Sequence, residues 1–173
     1  MGYTTEFMGA FEIYPPLKEN HKKYLYHFSD TRRMTRDESK TILLSDPIRT
    51  YANLPIGSQG QYYVGDSEGK DVTDIYTPAR PMPGLWCNWT PNEEGDKLLW
   101  NQAEKFYNYI PWLTYLIKHF LKPWNYTLSG INIWQGEDPD DTGIIFVKNN
   151  VVNSQKNFNN NFLKNPYKLF LHC

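Results

Sequence analysis

Three arginines fall within five positions, Arg32, Arg33 and Arg36 of TRRMTRD, in a chain whose only others are Arg49 and Arg80. A planar guanidinium donates two parallel hydrogen bonds to a phosphate or carboxylate, so this cluster could form a fork for an anion. The plainer alternative is an exposed helix end where positive charge offsets the dipole. A second group is the acidic run GEDPDDTG, residues 136–143. Its Glu137, Asp138, Asp140 and Asp141 could act as paired carboxylates in the acid–base chemistry of a hydrolase or transferase. Asp138, Asp140, Thr142 and Gly143 also match the first, third, fifth and sixth places of a calcium loop. Asn149 then stands where that loop needs a bidentate Glu, so no metal is expected and a solvated hairpin turn accounts for the run. The third group is tryptophan. Trp86, Trp89 and Trp134 lie in strand-like stretches, and any that face outward would give a platform for stacking a base or sugar. Core packing is the alternative for each.

Other chemistry is missing from the pattern. His21, His27, His119 and His172 show no metal-ligand spacing, and His21 and His119 read as helix-surface or boundary residues. There is no GxSxG or HExxH motif, and the GSQG turn lacks the lysine of a phosphate-binding loop. Cys87 and Cys173 make neither a disulfide framework nor a zinc site, and Cys87 reads as a small buried strand residue. No cofactor is implied.

These residues must be positioned by a framework, and its strongest element is WNQAEKFYNYIPWLTYLIKHFL, residues 100–121. Phe106, Ile110, Leu113, Ile117 and Phe120 recur at helical spacing, and Tyr109, Trp112, Leu116 and Leu121 widen the stripe. The spacing predicts a helix buried over most of its circumference. Pro111 inside it predicts a kink or a restart. Upstream, Thr5, Phe7, Gly9, Phe11 and Ile13 alternate with Thr4, Glu6, Met8, Ala10 and Glu12, which predicts a strand over residues 3–14. Pro15 and Pro16 should open a helix whose buried face carries Leu17, His21, Tyr24, Leu25 and Phe28. Residues 34–80 read as loops wrapped over the core, with one short strand at 61–64. A hairpin is expected from residues 85–90 to 98–100, with Trp86 and Asn88 on one face and Leu85, Cys87 and Trp89 on the other. Strands are expected at 126–134 and 143–148. The architecture predicted is α+β, a mostly antiparallel sheet with two main helices on one face. Residues 1–152 would form one domain. Residues 153–173 would be an Asn-rich extension, in which Leu163, Tyr167, Leu169, Phe170 and Leu171 could dock as a last element.

Bulk properties narrow the partners. A chain of 173 residues suits one domain, and a net charge of −1 gives no basic field for nucleic acid or an anionic membrane. No apolar run nears the length of a membrane span, and MGYTTEFMGAFEIY lacks the pattern of a signal peptide. The expected setting is cytoplasm, or host cytoplasm or a virion for a viral chain.

TRRMTRD, GLWCNW with LLW after its turn, AEKFYNYIPWLTYLI, and WQGEDPDDTG with VKNNVV together resemble a family of uncharacterised bacterial and viral proteins, over roughly residues 3–152. The resemblance implies no activity, cofactor or catalytic residue. The chain departs from the family pattern at Asn101-Gln102 and at Pro111, where an acidic residue is usual. Three functions are therefore weighed from the residues. The first is a binding domain for a small anionic or nucleotide-like ligand, held by Arg32, Arg33 and Arg36 with Trp86, Trp89 or Trp134 stacking. The second is a protein–protein interaction or virion-associated module, and the third a hydrolase or transferase built on the acidic loop.

Overall fold

A computed structural model describes residues 2–65 and 69–157 of the chain. Its centre is β1 (Thr5–Tyr14), in which Thr5, Phe7, Phe11 and Ile13 are buried while Glu6, Met8, Glu12 and Tyr14 are exposed, as the alternation predicts. Gly9 departs from the pleat with φ 123°, because a Cβ there would collide with the Ile131 carbonyl oxygen on the neighbouring strand. That neighbour is β6 (Thr127–Gly136), paired antiparallel along the whole of β1 from Thr5↔Gly136 to Tyr14↔Thr127. With β4 (Trp89–Pro91), β5 (Lys97–Trp100), β7 (Thr142–Lys148) and β8 (Val151–Lys156) they build a six-stranded sheet ordered β4-β5-β1-β6-β7-β8. Every pairing in it is antiparallel.

The two longer helices lie on the sheet face that carries Phe7 and Phe11. They are α1 (Glu19–Ser29) and α4 (Tyr109–Leu116), the latter continued by a π-helical turn at Ile117–Leu121. Phe28 of α1 meets Trp112 and Phe120 edge-on, while Phe7 meets Tyr109 and Trp89 in the same manner. Such edge-to-face contacts add about 0.5–1.5 kcal/mol each beyond area burial. The aromatic surplus of the sequence is thus largely core.

Several expectations need correction. The helix expected over 100–121 begins only at Tyr109, after Asn108 in a left-handed conformation (φ 55°). Pro111 therefore sits in the first turn, where its missing N–H is one that no intrahelical carbonyl would have met, and no kink results. Phe106 is still buried, but from the irregular stretch before the helix. Helix α1 starts at Glu19 rather than at the prolines. Residues 34–80 are not all loop: β2 (Met34–Arg36) and β3 (Val72–Pro78) pair as a bulged antiparallel ribbon outside the main sheet. Between them, among the described residues, lie the short α-helices α2 (Glu38–Thr41), capped by Asp37, and α3 (Pro47–Tyr51), capped by Asp46, and a 3-10 turn at Ser58–Gly60. Residues 61–64 form turn and irregular chain, not a strand.

Strand β8, the last among the described residues, runs through the boundary drawn at residue 152. Its turn is Asn149-Asn150, both left-handed at φ 48° and 69°, the two-residue geometry that suits the twist of a hairpin. The Asn150 side chain accepts the Leu128 N–H at 2.7 Å and donates to the Tyr126 carbonyl at 3.0 Å, so it also anchors the start of β6. The docking residues expected between 163 and 171 lie outside the described residues. Among the described residues no helix is long and apolar enough to cross a membrane.

Candidate functional site: a cleft lined by Asn88 and rimmed by aromatic rings

The arginines do not form a fork. Arg36 is 5% exposed and bonds Asp71 at 2.6 Å, with its guanidinium 4.3 Å over the Tyr63 ring. Thr41 donates to the same Asp71 oxygen at 2.9 Å. Arg33 is buried over the Phe28 ring at 4.5 Å, and its Nε donates to the Thr31 carbonyl at 2.8 Å. Among the described residues no carboxylate pairs with it, and burial holds its pKa down to about 10. Arg32 is half-buried, with an enclosed Nε that has no partner. Strand β2 carries Arg36 to the Asp71 side of the ribbon while Arg33 points into the aromatic core, so the cluster is dispersed.

Two of the three candidate tryptophans are also core residues. Trp89 and Trp134 are each 1% exposed. Their indole N–H groups donate to the Tyr109 carbonyl at 2.9 Å and to Asp141 Oδ1 at 3.2 Å. The acidic loop is spent on structure. Glu137 accepts the Thr4 N–H and Asp141 accepts the Tyr3 hydroxyl, which ties the β6–β7 turn to the chain entering β1, while Asp138 accepts the Asp140 N–H within the turn. Asp140 is exposed. Among the described residues no group of three or more His, Cys, Asp or Glu is placed to hold a metal ion. Cys87 is fully buried, and burial pushes its thiol up to about 12, which leaves no thiolate near neutral pH.

Trp86 opens to solvent at a concave surface. It lines a cavity of about 720 Å³ with Tyr76 of β3 and Tyr107 of the stretch before α4. All three rings are exposed, and none contacts another aromatic ring. Asn88 lies within this rim. It is 3% exposed, and its side-chain amide makes no hydrogen bond to the protein. Its backbone carbonyl accepts the Asn101 N–H at 3.0 Å, extending the β4–β5 pairing by one step and holding the residue rigidly. Asn88 lines the cavity, while its neighbours Cys87 and Trp89 belong to the core.

Two further amides are half-engaged. The Asn101 oxygen accepts the Ala103 N–H at 3.0 Å, leaving its NH₂, and the Asn108 NH₂ donates to the Pro83 carbonyl at 2.7 Å, leaving its oxygen. The charged residues of the lining are Asp30, Glu104 and Lys105. Asp30 caps the C-terminal end of α1, where the helix dipole is negative. The cavity is therefore rich in acceptors and electronegative. None of Arg32, Arg33, Arg36 or the loop carboxylates 137–141 lines it.

The sequence held one pointer to this place, the sharing of a face by Trp86 and Asn88. Tyr76, Tyr107 and Asp30 lie on three other segments that only the tertiary fold assembles. No protein-family model, curated protein or solved structure matches this chain. What the fold and cleft define is an α+β domain with a preformed, aromatic-rimmed pocket.

Proposed function

We propose that this protein is a binding domain for a small, uncharged, ring-bearing ligand held in the Trp86–Asn88 cleft. The observation that carries the reading is the Asn88 amide, nine-tenths buried yet unpaired, in a cavity of ligand size. An amide so placed offers two donors and an acceptor to a ligand, and the surrounding rings cover apolar ligand faces. An anion is disfavoured, because Asp30, Glu104 and the negative end of α1 outweigh Lys105. The buried arginines support the fold instead.

Matched pairs of compounds test this: adenosine against AMP, and glucose against glucose 6-phosphate, each at millimolar concentration in thermal shift. A ligand at a hundred times its Kd stabilises the folded state by about 2.7 kcal/mol. The neutral member of at least one pair should raise Tm, its phosphorylated partner should do so less, and Asn88→Ala should remove the effect. Preference for the phosphorylated members would overturn the reading.

A further inference from the structure

We infer that the ligand of this cleft is an oligosaccharide of neutral sugars, an inference that rests on the cleft being a binding site for an uncharged ring. The three exposed rings, Tyr76, Trp86 and Tyr107, are separate platforms on three segments and do not touch one another. A single base needs one stack or one sandwich. Three separate rings lining one cavity of about 720 Å³ instead suit a ligand of several rings, each laying an apolar C–H face on an aromatic side chain.

The polar groups agree. Oδ1 of Asn108, the Asn88 amide and the Asp30 and Glu104 carboxylates supply acceptors, while the NH₂ groups of Asn88 and Asn101 supply donors. Sugar hydroxyls both donate and accept, so each can meet a carboxylate and an amide at once. A nucleobase presents a fixed donor and acceptor edge and leaves most of these groups unpaired, which is costly when they are desolvated. A glycan makes no demand for a cation, and this cleft offers only Lys105 against two carboxylates.

The test is saturation-transfer NMR and Trp fluorescence on the full chain with chitotriose, cellotriose and maltotriose, their monosaccharides, adenosine, cytidine and choline. At least one trisaccharide should bind, at least fivefold tighter than its monosaccharide. Trp86→Ala should weaken it tenfold or more, and so should Tyr76→Ala, whose exposed ring can be removed without touching the core. Binding of a nucleoside, lost in Asn88→Ala while every saccharide is silent, would overturn the glycan assignment and leave the neutral-ligand reading standing. Binding of choline alone would overturn both, because the rings would then be a cage for a cation. Silence from every probe, with Asn88→Ala and wild type indistinguishable, would also overturn both.

Discussion

Replacing Asn132 by leucine should make this protein more stable. Asn132 sits on the core face of β6, opposite Gly9 of β1 and Ile145 of β7, and is fully buried. Both polar atoms of its amide are enclosed, and neither has a hydrogen-bond partner. A buried amide without partners costs roughly 1–3 kcal/mol relative to one that is satisfied. Leucine has the same number of side-chain heavy atoms and carries no such debt, and Gly9 across the strand pair leaves room for its branched end. The expected gain in Asn132→Leu is about 1–3 kcal/mol, or roughly 2–10 °C in Tm for a domain of this size. Urea denaturation followed by circular dichroism measures it, with an unchanged m value showing that the folded and unfolded states keep their extents. A loss of more than about 1 kcal/mol would mean that Asn132 is satisfied after all, by an enclosed water or a shifted neighbour, and that its burial stabilises the sheet.

Further outcomes follow from the same contacts. Asp71→Ala breaks the buried Arg36–Asp71 pair and should cost about 3–5 kcal/mol by denaturant titration, whereas replacing both Arg36 and Asp71 with apolar residues should cost far less than the sum of the single changes. Pro111→Ala should change stability by less than about 1 kcal/mol, because the proline occupies a first turn; a gain near 3 kcal/mol would place it in a helix interior. Stability should fall as pH rises above 9. Cys87, pushed by burial from 9.0 to about 12, keeps its proton in the folded state where the unfolded chain releases it, so its contribution is complete below pH 9 and is lost toward pH 12, by up to roughly 4 kcal/mol. Tyr109, raised by burial from 10.0 to about 12, acts in the same direction above pH 10. Serine at Cys87 should flatten the lower part of that profile, and in the native wild type mass spectrometry should find Cys87 unlabelled by thiol reagents at pH 8.

What was legible in the sequence depended on how local the cause was. The alternation of β1 and the buried face of α1 follow from residues two to four apart, and both are found apart from Gly9, which is exposed and leaves the pleat, and Leu17, which is buried ahead of the helix. His21 and His119 read as boundary residues; each is half-buried and stacked, on Trp124 at 3.9 Å and on Tyr115 at 4.2 Å. The stripe on α4 was legible but its start was not, because Gln102, Lys105 and Asn108 all adopt left-handed backbone that no periodicity announces. The fate of the arginines was hidden for a different reason. The partner of Arg36 is Asp71, 35 positions away on the far side of a bulged ribbon, and short irregular strands leave almost no pattern. The Asn149-Asn150 hairpin did carry a local signal, two residues tolerant of positive φ between valine-rich flanks. The cleft was half legible: the alternation put Trp86 and Asn88 together and both line the cavity, although residues 85–88 are irregular chain leading into β4 and not the strand expected over 85–90, and the tyrosines that complete the rim come from elsewhere in the chain.

The most direct measurement is a two-dimensional amide NMR titration of the full chain, with the Trp86 indole N–H and the Asn88 side-chain NH₂ assigned by mutation. Added chitotriose, cellotriose, maltotriose or adenosine should shift those two signals first and leave the Arg33 and Arg36 side-chain signals in place, while inorganic phosphate should shift neither pair. Shifts centred on the arginines with phosphate, or an Asn88 amide unmoved by every uncharged ring compound, would contradict the assignment of the cleft as the binding site.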